Sequence, residues 1–211
     1  MAPCGGATGG CLRGPVLVAA VMTLLTSVAA TPATGAADPQ ARLLLTYLSS
    51  MSWPVRASLG RAESLGSAID GFVSPGDTPY LGGIAASCRK LRAVEARGRL
   101  LRITAPPRLG AQHRRVAASY SKLRAGCIEV RRTALAVRAA RDRFATTGAA
   151  ADEAALQKIE AAARRSLPQF SRTTLRSFTQ AVQAWRASVL RNAAILGIAP
   201  PAWVKALPSG P

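Results

Sequence analysis

Leu109, Val116, Leu123, Val130, Val137 and Phe144 recur every seven residues, and His113, Tyr120, Cys127, Ala134 and Arg141 fill the alternating position between them. This five-repeat heptad is incompatible with a strand, whose side chains alternate every two residues. It predicts one long helix with a single apolar stripe, the seam of a bundle or coiled coil. Such a helix is stable only where other helices cover that stripe, so the rest of the chain must supply the cover.

The flanking sequence reads as three further helices. Asp38-Pro39 is a cap residue followed by proline, a helix start. Leu44, Tyr47, Leu48, Met51, Val55, Leu59, Ala62, Leu65 and Ile69 then repeat at three or four. Pro54 lies inside that repeat and predicts a kink, or a break near Trp53. Asp70-Gly71 is the expected stop, with Phe72 to Thr78 as a loop. Thr78-Pro79 opens the second helix, whose apolar face is Leu81, Ile84, Cys88, Leu91, Val94, Gly98 and Leu101. Gly82-Gly83 within it marks an expected close helix contact. Ala105-Pro106-Pro107 ends this helix, because a residue before proline avoids the helical region. The heptad helix starts near Arg108 and ends at Thr146-Thr147-Gly148. The fourth helix starts near Ala149. Leu156, Ile159, Ala163, Leu167, Phe170, Thr174, Phe178, Ala181, Trp185, Val189, Asn192 and Leu196 form its apolar side, and Pro168 is expected to kink or divide it. Gly197 reads as a left-handed C-cap, and Pro200-Pro201 forbids continuation. In the tail, Trp203, Val204 and Leu207 are expected to pack back. Short connections favour neighbours that run antiparallel. The predicted fold is therefore all-α: an up-down-up-down four-helix bundle with long, proline-kinked first and last helices.

Residues 1–36 read as a secretory signal. Val16 to Ala30 holds no charge, and cleavage options follow at Ala29, Ala30 and Ala36. The apolar run of about 15 residues falls short of the ~20 that a spanning helix needs. The expected location is secreted or extracytoplasmic, in the periplasm or cell envelope, with an N-terminal anchor as the alternative if the signal is retained. The bundle domain is expected over residues 37–198 and a Pro-rich tail over 199–211. Cys4 and Cys11 belong to the signal, which leaves Cys88 and Cys127. Exported proteins with two cysteines commonly join them. A hairpin turning between Thr104 and Arg108 leaves the two only about three residues, or roughly 4.5 Å of rise, out of level. Both also lie on the apolar faces of their helices. A disulfide between Cys88 and Cys127 is therefore expected to staple the central hairpin.

Charge is the other strong feature: 28 Lys and Arg against 10 Asp and Glu, net +18. Most of the excess lies on the hairpin. Arg124, Arg131 and Arg138 recur every seven residues beside the heptad seam, and Arg114 and Arg115 stand near the helix start. Guanidinium groups bind phosphate and carboxylate in a two-pronged manner. These five residues are the expected anion-binding set, against the plainer alternative of a solvated basic face.

Catalytic signatures are absent from the sequence. His113 is the single histidine, and it falls on the seam, where a core or boundary role is expected. No Glu-x-x-His pair, Cys-x-x-Cys-His, Gly-x-Ser-x-Gly elbow or glycine-rich phosphate loop occurs. No catalytic residue, metal site or cofactor is expected. The composition and compartment point to a non-enzymatic binding or structural protein of the envelope. Its expected partners are anionic lipids or phosphate-rich envelope polymers. Nucleic acid is disfavoured, because the aromatics sit on apolar faces. The alternative is an extracytoplasmic bundle that binds a small ligand or acts as a sensor, with a pocket near Trp53, Tyr120 or Trp185.

Overall fold

The computed structural model describes residues 38–74, 79–98 and 100–209. The expected signal, the Ser74-Pro75-Gly76-Asp77 turn beyond Ser74, the Thr78 cap and the last two residues of the tail lie outside them. The described chain is all-helical and holds no strand. Its helices are α1 (Pro39–Val73), α2 (Pro79–Gly98), α3 (Gly110–Thr147), α4 (Ala150–Phe170), α5 (Arg176–Ile195) and the short α6 (Ala202–Lys205). Among the described residues, no helix is long and apolar enough to cross a membrane.

Helix α3 bears out the heptad. Leu109, Val116, Leu123, Val130 and Val137 are buried, as are His113, Tyr120, Cys127 and Ala134. Removing each Leu or Val of that stripe from water contributes about 1.5–3 kcal/mol. Gly148, at φ 61°, ends the helix with its N–H on the Phe144 carbonyl. Neighbouring helices touch in opposite order along their lengths. Gly71 of α1 meets Tyr80 of α2, and Gly83 of α2 meets Ala68 of α1. Tyr120 of α3 donates to the Leu91 carbonyl of α2 at 2.5 Å, while Cys127 faces Cys88. Further along α3, Tyr120 packs on Phe178 of α5, Gly126 on Phe170 and Arg141 on Glu160 of α4. The α1–α2, α2–α3 and α3–α4/α5 contacts are thus all antiparallel.

Several expectations need correction. Helix α1 does not break near Trp53: it runs unbroken through Pro54 and on past Gly71 to Val73. Tertiary cover explains the extension, because Phe72 is buried. The Arg164 guanidinium lies 5.3 Å from the Phe72 ring centroid and donates to the Val73 carbonyl at 2.8 Å. A cation at a helix C-terminus satisfies the carbonyls left there and complements the helix dipole. Helix α2 ends early, at Gly98, and Leu100–Arg102 forms a tighter 3₁₀ turn. That turn shifts the face presented to the core: Leu100 is buried and the expected Leu101 is exposed. Of the Gly82-Gly83 pair, only Gly83 faces a neighbouring helix, at ordinary packing distance from Ala68, while a side chain at Gly82 would meet nothing within 4 Å. The tight approaches are at Gly71 and Gly126, where the Tyr80 and Phe170 rings occupy the space a side chain would need.

Pro168 stands where the expected division of the last helix falls, at the end of α4. It lacks an N–H for the Arg164 carbonyl, and Ser171–Leu175 forms a wider π turn before α5 continues. The wider turn advances the register. Leu175 is buried where Thr174 was expected, and Phe178, Ala181, Trp185 and Val189 then follow as read. Helix α5 closes with Ile198 N–H on Ala193 O and Gly197 N–H on Ala194 O, with Gly197 at φ 62°. These are the two bonds of a Schellman cap. The tail folds back as expected. Val204 and Leu207 are buried, Trp203 stacks on Trp185, and Arg186 donates to the Val204 and Lys205 carbonyls.

The two cysteines expected to form the staple face each other across the α2–α3 contact. Cys88 and Cys127 are both buried free thiols 3.1 Å apart, against about 2.05 Å for a bonded pair. Sequence placed the two sulfurs opposite each other and on the inner faces, and both features are present.

Gly126→Leu should lower the thermal midpoint by several degrees, because overpacking against Phe170 costs about 1–3 kcal/mol. Gly82→Ala, in open space within α2, should raise it, since Ala is favoured over Gly in a helix by up to about 1 kcal/mol. Paired calorimetric scans of the two variants check both signs.

Candidate functional site

Burying the stripe of α3 fixes where its charges go. Arg124 and Arg131 stand three residues before and four after Cys127, so they flank the seam on one side of the helix. On α2, Arg89 follows Cys88 and Arg92 lies four residues beyond it. With the two cysteines face to face, these four arginines come together. Among the described residues they alone line a cleft of about 310 Å³ at the α2–α3 contact, beside the buried thiols. All four are exposed. No carboxylate lines the cleft among the described residues. Glu129 pairs instead with Arg132 at 2.8 Å, and Glu160 with Arg141.

Electrostatics follow from that inventory. Like charges about 4 Å apart in bulk water repel by about 1 kcal/mol, and physiological salt screens them over about 8 Å. Four guanidiniums around one cleft, with no carboxylate among its described lining residues, therefore raise the local potential. An anion entering there turns repulsion into attraction and accepts charge-assisted hydrogen bonds.

The expected five-arginine set divides. Arg124 and Arg131 line the cleft. Arg138 lies outside it and sits 3.8 Å from Asp142, one turn along on α3. Arg114 and Arg115 are exposed near the start of α3 and do not line the cleft, and the Arg114 guanidinium lies over Gly110. Arg89 and Arg92 were missed as members of the site. The signal that could have found them was in hand: the hairpin register that aligned the cysteines also aligns the residues beside them. A second polar cavity, of about 200 Å³, is lined by Ser119, Lys122, Thr173, Thr174 and Ser177 beside the π turn. It holds one cation against four.

The Cys88 thiol beneath the cleft is held in the protonated form. The hydrogen bond from Cys88 to Cys127, then burial, push the Cys88 thiol up, and the nearby Arg131 charge pulls the other way.

His113 is buried as expected, and it joins a polar chain that the heptad did not reveal. Trp185 Nε1–H donates to Tyr47 Oη at 2.8 Å, and Tyr47 Oη lies 3.0 Å from His113 Nδ1. Tyr47 Oη thus accepts from the indole and donates to a neutral imidazole. Burial pushes the Tyr47 hydroxyl up and the His113 imidazole down from their ordinary values. Each of the three residues brings a polar atom to an apolar helix face, and such atoms need partners once buried. Tyr120 and Trp185, two of the expected pocket markers, are fully buried in close-packed core, and Trp53 is 47% exposed on α1. Two mainly apolar cavities open elsewhere, beside Tyr47 and the Pro106-Pro107 connection.

No protein-family model, curated protein or solved structure matches this chain.

The neutral His113 sets an acid limit on stability. Its folded value lies below that of the unfolded chain, so its contribution is complete above about pH 6.5 and is lost as the pH falls from there. The thermal midpoint should hold steady from pH 8 to 7 and decline between about pH 6.5 and 5. His113→Asn should flatten that decline, as read by calorimetry across the series.

Proposed function

We propose that this chain is an exported, non-enzymatic binding protein of the cell envelope that contacts phosphate-bearing anionic surfaces through the α2–α3 arginine cleft. The observation that carries the reading is the cleft itself: Arg89, Arg92, Arg124 and Arg131 around one opening of about 310 Å³, with no described carboxylate among them. Four forked cations suit a ligand with several anionic oxygens better than a single carboxylate. Anionic lipid headgroups and phosphate-rich envelope polymers share that chemistry, and the expected compartment favours both. The net charge of +18 adds long-range attraction to either.

Two finer structural readings belong to the same proposal. The rods α1, α2, α3 and α4–α5 are taken as an up-down-up-down four-helix bundle, which the antiparallel order of their contacts supports. Cys88 and Cys127 are taken to be joined in the exported protein. Each thiol would give up its proton, and the pair two electrons, to the disulfide of an oxidised thiol–disulfide carrier, which leaves as a dithiol. Closing that loop would stabilise the fold by about 4 kcal/mol on the chain-entropy account. It would also hold Arg89 and Arg92 against Arg124 and Arg131.

Co-sedimentation tests the binding. The protein should pellet with vesicles rich in anionic phospholipid, or with an insoluble polyphosphate matrix, at low salt and be released at high salt. The two supports separate lipid from polymer. Arg124→Glu with Arg131→Glu should weaken binding at least tenfold, whereas Arg114→Glu with Arg115→Glu should weaken it less. Equal losses would remove the cleft from the reading, and absence of binding at low salt would remove the reading. Peptide mass mapping of the exported protein without reductant should recover residues 88 and 127 in one linked species.

A further inference from the structure

The end of the fold beside the Pro106-Pro107 connection holds a second site of different chemistry. Two cavities, of about 220 and 500 Å³, share Leu43, Pro106 and Pro107 as lining residues. Their origin lies in the sequence. A proline has no N–H to close a helical turn, and Pro106 is extended at φ −54°, ψ 147°. Residues 103–106 therefore stay non-helical, and the first turns of α1 are left partly uncovered. Leu43 of α1 is 59% exposed there. The walls are mainly aliphatic, with uncharged polar groups from α1, α5 and the connection. Among the described residues, Arg108 is the one ionised residue lining either cavity, and it has no ion-pair partner there. Tyr47 forms part of the inner wall, while its hydroxyl is engaged by Trp185 and His113.

We propose that this end groove binds a single-chain anionic amphiphile, such as a medium-chain fatty acid, with its tail along Leu43 and the two prolines and its carboxylate at Arg108. Three observations select that occupant. The combined space is of the size that small-molecule sites commonly have. Its walls reward an apolar body, because covering an exposed Leu removes apolar area from water. Its single unpaired guanidinium favours a negative head over a neutral or positive one. A polyanion finds one cation here against four in the arginine cleft, so the two sites select different ligands and stand or fall independently.

The test uses the full chain and laurate below its micelle-forming concentration. Binding should perturb tryptophan fluorescence, because Tyr47 bonds Trp185 and Trp203 stacks on that indole. Laurate should bind more tightly than dodecanol, and dodecyltrimethylammonium should bind more weakly than both. Arg108→Glu should weaken laurate about tenfold or more while leaving dodecanol unchanged. Leu43→Glu, at an exposed position that the fold does not need, should weaken both laurate and dodecanol. Equal affinity for the three head groups, or an Arg108→Glu variant that binds laurate as before, overturns the proposal. So does concentration-dependent self-association that laurate fails to compete away, which would make a second copy the occupant.

Discussion

The contact on which the rest depends is the burial of one apolar stripe on α3. That stripe runs from Leu109 to Val137 and is covered from one side by α2 and from the other by α4, the π turn and α5. Ten of the chain's basic residues lie between Arg108 and Arg143, and none can follow the stripe into the core without a partner. Packing the seam therefore pushes them outward and lines them along its edges. Where α2 covers the seam, two of its own arginines meet two from α3. The cleft is a consequence of hiding the stripe, which is why fold and charge cannot be separated in this protein.

Small residues and aromatics then set how closely the helices approach. Gly126 lets the Phe170 ring press against the α3 backbone, and Gly71 does the same for Tyr80 on α1. Tyr120 crosses from α3 to the Leu91 carbonyl and so ties the cleft's two walls at a point close to Arg92. Beyond the cleft, towards the α2–α3 connection, the loss of regular helix at Gly98 and the paired prolines leave the first turns of α1 partly uncovered. The middle of the α2–α3 contact is thus basic, and its connecting end is lined mainly by apolar groups.

Much of this was legible because periodicity reports burial. The heptad of α3 placed its buried residues almost one for one, and the Asp38, Gly148 and Gly197 caps were read from residue type alone. Tertiary context accounts for what was not legible. Pro54 sits inside α1 because cover along the whole helix outweighs one missing hydrogen bond. Pro168 was read as a kink or a division, and the division takes the form of a π turn that moves burial from Thr174 to Leu175, a shift that no local pattern announces. The cysteines were placed correctly but are found as thiols. Arg138 belonged to the periodic stripe by spacing and drops out because its own helix carries Asp142 one turn on. Arg89 and Arg92 show the limit most clearly: helix periodicity ranks residues on one rod, whereas a site between rods depends on the register of two.

The central claim is that four arginines drawn from two helices act as one anion site. Following the arginine side-chain N–H resonances by NMR during titration of the full chain with inorganic pyrophosphate tests it most directly. The account predicts that Arg89, Arg92, Arg124 and Arg131 shift together along one binding curve while Arg114, Arg115 and Arg138 respond later and weakly. Parallel, unsaturating shifts of all the arginines would contradict it and leave only a diffusely basic surface.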